Sequence, residues 1–371
     1  MIAAVMGHDH AGRLRRAADG ASNLGIDALV VAPGPDLVYL IGYEAPPLER
    51  LTALVVRPGA EPVLIVPTLE RPRAEGSGAG DVAEIVDWPD GADPYGAARS
   101  VLPAAAGRIG VSDRLWALHL LGIQAGTPDA VFVSAATVIS PLRAVKDDHE
   151  VELLQFVASA ADRAFDRIVN ERFEGRSERD LAAHLAALLV DEGHELALFT
   201  IVGSGPNGAS PHHEPGDRVI AGGDAVVLDF GGRRLGYSSD ITRTVFVGEP
   251  DEEMRRVYDA VRAGQRAAFE RVSPGVPAED VDRAARELIT DAGYGDRFIH
   301  RTGHGIGLEE HEDPYLVVGN AEPLREGNTF SIEPGIYLAG RFGVRIEDIV
   351  VTTGDGARSL NEATREPVVV A

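Results

Sequence analysis

The chain of 371 residues contains no cysteine. Disulfides, thiolate zinc sites and cysteine nucleophiles are therefore excluded, although this does not fix the compartment. Positive charge is also scarce: 35 Lys and Arg face 58 Asp and Glu, a formal net charge of -23, and the pI is near 4.8. Nucleic acids and anionic membrane surfaces both need basic patches, so neither is expected as a partner. Bound divalent cations would offset part of the excess, and a solvated acidic surface would account for the rest. No run approaches the roughly 20 apolar residues of a membrane span. Residues 1–6 are apolar, but they are few, lack a basic flank and meet Gly7-His8-Asp9. A signal peptide is therefore not expected, and the cytoplasm is the default compartment.

What is present is ordinary in bulk, with 44% hydrophobic and 25% charged residues. A chain of this length suits two domains, expected at residues 1–140 and 141–371. In the first, a helical pattern at 9–24 is followed by strand-like runs at 28–31, 51–56, 62–66, 82–86, 108–111 and 130–133. Helix candidates at 94–102 and 114–124 alternate with them. This alternation implies an α/β domain with a mixed or parallel sheet covered by helices on both faces. The apolar stretch 37–42 has no readable period. His8, His10 and His119 stand apart from any acid or histidine cluster. Surface or core roles are expected for them.

Ser140-Pro141-Leu142-Arg143-Ala144-Val145-Lys146 reads as the link. A long helix over 147–170 follows, with Asp147, Asp148 and Glu150 at the end where the helix dipole favours acids. Ser177 opens a second helix, with Asp180 near the capping-box position and Gly193 closing it. Further amphipathic helices are expected at 251–271 and 277–292, and strands at 195–202, 329–338 and 343–353. Strands, then helices, then strands describe an α+β domain with helices on one face of a largely antiparallel sheet.

The chemistry converges on 226–247, VVLDFGGRRLGYSSDITRTVFV. Asp229 and Asp240 end two apolar runs that read as a hairpin, with Gly231 and Gly232 supplying the turn. Aspartate is a poor strand residue, and two flanking one hairpin call for a compensating partner such as a cation. Farther on, Gly303-His304-Gly305 sets a histidine between glycines, Glu333 ends an apolar strand before Pro334, and Arg345 and Glu347 share one face of a strand. Two aspartates, one histidine and two glutamates form a hard, oxygen-rich donor set suited to Mn²⁺, Co²⁺, Fe²⁺ or Zn²⁺. Four carboxylates are too many for one ordinary catalytic ion but fit a pair that shares bridging carboxylates.

The motifs LDFGGRRLGYSSDITRT, GHGIGLEEHEDP, SIEPGIY and GVRIEDIV occur in an order and spacing that resemble the creatinase/prolidase/methionine-aminopeptidase superfamily of pita-bread metallopeptidases. The whole chain is similar to its two-domain bacterial members, the Xaa-Pro dipeptidases (prolidases) and aminopeptidase P. The N-terminal third matches more weakly, in LVYLIGY and LRAVKDDHEVELL. The resemblance implies a creatinase-like N-terminal domain and a pita-bread catalytic domain. It implies that Asp229 binds one ion, that Asp240 and Glu347 bridge two, and that His304 and Glu333 hold the second. It further implies that Glu333 shuttles the proton and that His311 and His212 contact the substrate carbonyl, with His213 the alternative to His212. Arg345 is placed beside the metals, in contact with substrate or simply paired with acids. Tyr237 is a candidate to support Asp240. The implied activity is cleavage of the Xaa-Pro bond, most simply in dipeptides, with Mn²⁺ the first-choice metal and a homodimer the expected assembly. In a dipeptide the free carboxylate lies beside the scissile bond, and His212 and Arg345 are the candidates to receive it. Longer peptides would make the enzyme an aminopeptidase P. Creatinase-type hydrolases and non-catalytic binding modules share the fold but lose metal ligands, and all five are present here.

Overall fold

The computed structural model describes residues 7–105 and 107–371. The apolar segment 1–6, weighed above as a leader, lies outside the described residues. The chain divides into two compact units, Met1–Arg143 and Ala144–Ala371.

In the first unit the elements run α1 (His10–Asn23), β1 (Ala28–Val31), α2 (Pro35–Ile41), β2 (Ala53–Val56), β3 (Val63–Pro67), α3 (Arg71–Gly76), β4 (Glu84–Trp88), α4 (Pro94–Val101), β5 (Arg108–Val111), α5 (Ala117–Gly126), β6 (Val131–Ser134) and α6 (Ala136–Arg143). They build a six-stranded sheet of order β4-β3-β2-β1-β5-β6. Its β1-β2 and β2-β3 pairs are antiparallel and its β3-β4, β1-β5 and β5-β6 pairs parallel, so the sheet is mixed. The central strands β1, β2 and β3 are buried along their whole length, which is why they read as continuous apolar runs. The stretch without a readable period is the short helix α2, opened by Pro35 at its first position and closed by Gly42 in the left-handed region. The expected link also differs. Ser140 to Arg143 belong to α6, which continues through Pro141, and the chain leaves the unit after Arg143.

The second unit contains α7 (Asp148–Ile168), α8 (Glu178–Asp191), β7 (Leu196–Ser204), β8 (Ala225–Arg234), β9 (Tyr237–Ser238), β10 (Ile241–Val247), α9 (Glu252–Arg271), α10 (Ala278–Asp291), β11 (Gly303–Gly305), β12 (Glu312–Leu316), β13 (Thr329–Ile332), β14 (Gly335–Leu338), β15 (Phe342–Arg345), β16 (Asp348–Thr353), β17 (Gly356–Ser359) and β18 (Val368–Val370). A full capping box of Asp147 and Glu150 starts α7, and the Ser177 side chain caps α8. The strands form three sheets rather than one: β18-β10-β8-β7 with β9 added to β8, β12-β11-β13-β16-β17, and the β14-β15 ribbon. Helices α7 and α8 lay Phe165, Ile168, Leu181, Leu185 and Leu189 on Val226, Leu228 and Val245 of the first sheet. Helices α9 and α10 lay Val257, Val261, Val281, Ala285 and Ile289 on Phe330, Ile332, Ile336 and Val350. The first pair thus buries its apolar stripe against the first sheet, and the second pair against the second sheet and the β14-β15 ribbon.

The hairpin turn lies elsewhere than expected. Gly231 and Gly232 sit inside β8, and the turn is Leu235-Gly236, with φ of 52° and 86°. Both central residues are left-handed, as a two-residue turn that follows the strand twist requires. The two glycines serve close approach instead. A Cβ on Gly231 would stand 2.1 Å from the Ser239 carbonyl oxygen, and one on Gly232 would stand 2.6 Å from the His194 ring. No helix among the described residues is long and apolar enough to cross a membrane.

Candidate metal centre

Strand register explains how residues far apart in sequence meet. Asp229 faces Thr242 across the antiparallel β8-β10 pair. Asp240 lies between β9 and β10, two residues before Thr242. Glu347 lies in the gap between β15 and β16, and its N–H donates to the Thr242 carbonyl at 3.0 Å. On the second sheet, His304 is the middle residue of β11, and β13 runs beside that strand. The flanking glycines allow this contact, since a Cβ on Gly303 would fall 1.9 Å from the Ser331 carbonyl oxygen and one on Gly305 2.2 Å from that of Asp313. Glu333 follows β13 directly, and its N–H donates to the Thr302 carbonyl at 2.7 Å.

The side chains converge. His304 Nε2 lies 3.3 Å from Glu333 Oε1 and 3.7 Å from Asp240 Oδ2. Asp240, His304 and Glu347 each offer one ligand atom within 4.8 Å of the others. Arg345 underpins the cluster: Nη2 donates to Asp229 Oδ2 at 2.5 Å, Nη1 to the Tyr337 hydroxyl at 2.8 Å and Nε to Thr242 Oγ1 at 3.0 Å. The Thr242 hydroxyl donates onward to Glu347 Oε2 at 2.6 Å. Ser331 Oγ accepts from the His304 N–H and donates to Glu333 Oε1 at 3.2 Å. His300 Nε2 lies 2.9 Å from the Tyr337 hydroxyl.

The electrostatics are those of an acid cluster short of positive charge. Burial, then the charges of Glu347, Asp229 and Glu333, push the Asp240 carboxyl well above the usual range. Burial and the charges of Glu333 and Asp229 do the same to Glu347. Burial raises Asp229 as well, against the pull of Arg345. Glu333 goes the other way. Burial opposes its ionisation, but the bond to His304 and the charges of His304, His300 and Arg345 hold it down at about 2. Four buried carboxylates cannot all ionise without countercharge. Asp240 Oδ1 and Glu347 Oε1 are buried with no hydrogen-bond partner among the described residues. A buried carboxylate oxygen of that kind is costly unless a cation meets it. The donor set therefore fits divalent metal ions.

Around this core, the His311 ring packs 3.9 Å from that of His304. Burial, His304 and Arg301 lower its pKa to about 4, so it is neutral at pH 7. His212 is exposed and acts on His311 through its charge, whereas His213 points to Glu178, Nε2 to Oε2 at 2.7 Å. Tyr237 does not support Asp240: its hydroxyl donates to Glu150 Oε1 at 2.8 Å. Thr242, Ser331, His300, Arg301 and Tyr337 were not singled out from the sequence. Thr242 and Ser331 each lie two residues from a ligand, on the same strand face, which is the one signal that could have found them.

Residues 152–354 match the profile of metallopeptidase family M24, and residues 13–145 that of the creatinase/prolidase N-terminal domain. The chain belongs to metallopeptidase family M24. This M24 chain is 46% identical over 363 residues to the probable dipeptidase PepE of Mycobacterium tuberculosis, covering 97% of this chain and 96% of that one. It is 36% identical to the Xaa-Pro dipeptidase of Lactobacillus delbrueckii subsp. lactis, covering 92% and 94%. The solved structure of a prolidase from Thermococcus sibiricus superposes with a TM-score of 0.92 at 37% identity, over 98% of this chain and all of that one. The family fold, a creatinase-type N-terminal domain followed by a pita-bread domain, is the one described above.

Proposed function

We propose that this M24 peptidase hydrolyses the Xaa-Pro bond of dipeptides at a pair of divalent ions held by Asp229, Asp240, His304, Glu333 and Glu347. The observation that carries the reading is the pair of buried, unpartnered oxygens on Asp240 and Glu347, which face the same space as His304. The names of similar proteins, a dipeptidase and an Xaa-Pro dipeptidase, support the substrate class. Bound there, two ions would supply Lewis acidity and an acidified water. The oxygen-rich donors favour Mn²⁺ over softer metals.

The chain's own groups divide the remaining work. Glu333, held ionised beside His304, accepts the proton of the attacking water and delivers it to the departing proline nitrogen. His311, neutral and exposed, donates an N–H to the oxygen of the scissile carbonyl as charge develops there. Its Nδ1 lies 3.5 Å from an Arg301 nitrogen, which leaves Nε2 as the protonated position. His212, near enough to act on His311, is the second histidine of the site. Arg345 holds Asp229 in place rather than meeting substrate, since Nε, Nη1 and Nη2 are each engaged within the cluster.

By the family resemblance the reading extends to a homodimer in the cytoplasm, which size-exclusion chromatography and cell fractionation would check. The substrate proposal is tested on Mn²⁺-loaded enzyme with Ala-Pro, Ala-Leu and Ala-Pro-Ala. Ala-Pro should exceed Ala-Pro-Ala by about 10²-fold in kcat/KM, as expected where a site pairs with a group that the longer peptide lacks. Equal or faster cleavage of the tripeptide would make the enzyme an aminopeptidase P.

A further inference from the structure

A dipeptide differs from longer substrates by a free carboxylate, two bonds beyond the scissile nitrogen. From standard bond lengths its carbon lies within about 4 Å of the scissile carbonyl carbon. Dipeptide selection therefore needs a cation close to the metals but not bound to their ligands. Most cations near the site are already engaged. Arg345 is buried on Asp229, Lys146 is buried on Glu312, Arg243 is buried on Asp348, and Arg286 pairs with Asp282.

Arg301 is different. It lies three residues before His304, half-buried, and its Nη2 is 3.5 Å from His311 Nδ1. Its guanidinium carbon sits 4.4 Å over the ring of Tyr315, which holds the side chain by stacking while leaving the in-plane N–H groups other than the one turned to His311 able to bond a further group. Among the described residues no carboxylate lies within ion-pair distance of it, in a chain carrying 58 acidic residues. A planar fork with no acid partner, clamped beside the histidine that meets the scissile carbonyl, matches a carboxylate in charge and geometry.

We propose that Arg301, stacked on Tyr315, is the specificity-determining residue that binds the free carboxylate of the dipeptide substrate. The inference rests on the placement of His311 and the metals under the proposed function. It differs from the sequence-based expectation that His212 or Arg345 receives this carboxylate; of these, Arg345 is buried in the ligand cluster. Bidentate pairing explains why a stacked arginine stands here. Lysine would supply charge without the fork or the flat face.

The test compares wild type, Arg301→Ala and Arg301→Lys, all with metal content measured, on Ala-Pro, Ala-Pro-amide, Ala-Leu and Ala-Leu-amide. In Arg301→Ala, kcat/KM on Ala-Pro should fall about 10²-fold, mainly through KM, as for loss of one partner of a desolvated charge pair. The acid-to-amide ratio should collapse towards one, with Arg301→Lys between the two. Inhibition by L-proline should weaken in parallel. An equal loss on acid and amide, carried by kcat, would overturn the proposal and make Arg301 a positioning residue for His311. An unchanged ratio would also overturn it. The Ala-Leu pair separates the two readings: a carboxylate preference dependent on Arg301 without a preference for proline would refute the Xaa-Pro assignment alone. A wild-type enzyme inactive on every dipeptide would refute both.

Discussion

Glu333 shows how far a single residue's environment decides its role. Asp240, Glu347 and Glu333 share one buried site, yet burial and like charge push the first two carboxyls up while His304 holds Glu333 at about 2. Glu333 is thus the carboxylate of the cluster that stays ionised beside His304; its neighbours need cations before they ionise at all. Under the proposed function, Glu333→Gln would remove the proton acceptor and weaken one ligand while keeping the shape. Turnover should fall about 10²- to 10⁴-fold with the fold intact, measured as kcat at saturating Mn²⁺ with circular dichroism as the control. A loss below about tenfold would assign the proton transfer to another group. The proposed ligands were legible because acids at strand ends and a histidine between glycines contradict local propensity. Their supports were not. Thr242 and Tyr337 are ordinary strand residues, and only the folded register shows that they bind Arg345 and Glu347.

At the scale of elements, the site is assembled by strand ends, and loops must be held for its outer residues to face inward. The segment carrying His311 follows β11 and leads into β12. It is tied at Glu312 by the Lys146 ammonium, 2.5 Å away, with side-chain exposures of 1% and 7%. Removing one partner of a pair buried this deeply leaves an uncompensated charge and costs about 3–5 kcal/mol. Lys146→Met should lower unfolding stability by that order in chemical denaturation, and Lys146→Met with Glu312→Met should recover part of it. A single variant as stable as wild type would show that the pair does not hold the segment. Element type was readable wherever periodicity ran long, as in α7 to α10. It failed at α2, seven residues long, and at the hairpin, where Gly231 and Gly232 suggested a turn. Their function is contact, with Ser239 and His194 filling the space of the missing side chains. A sequence does not distinguish glycine needed for φ from glycine needed for room.

For the whole molecule, the mixed sheet of the first unit and the helices and strands of the second follow from the order of apolar runs. The division of the second unit into three sheets follows only in part: Pro334 marks the strand end at Glu333 in the sequence, whereas Ile346-Glu347 interrupts a run, 343–353, that reads as one strand. Those interruptions deliver Glu333 and Glu347 to the centre, so the breaks in the strands are the places that build the site. Four of the 58 acidic residues, Asp229, Asp240, Glu333 and Glu347, meet there, and the first two and Glu347 are buried, where solvent cannot screen them. Cations must then be part of the working molecule. The most direct measurement of this is the metal content of the purified, Mn²⁺-equilibrated protein beside that of Asp240→Ala, by elemental analysis. The two-ion site predicts about two divalent ions per chain in the wild type, with the loss of at least one ion and of turnover in the variant. Wild-type metal content together with substantial activity in Asp240→Ala would contradict it.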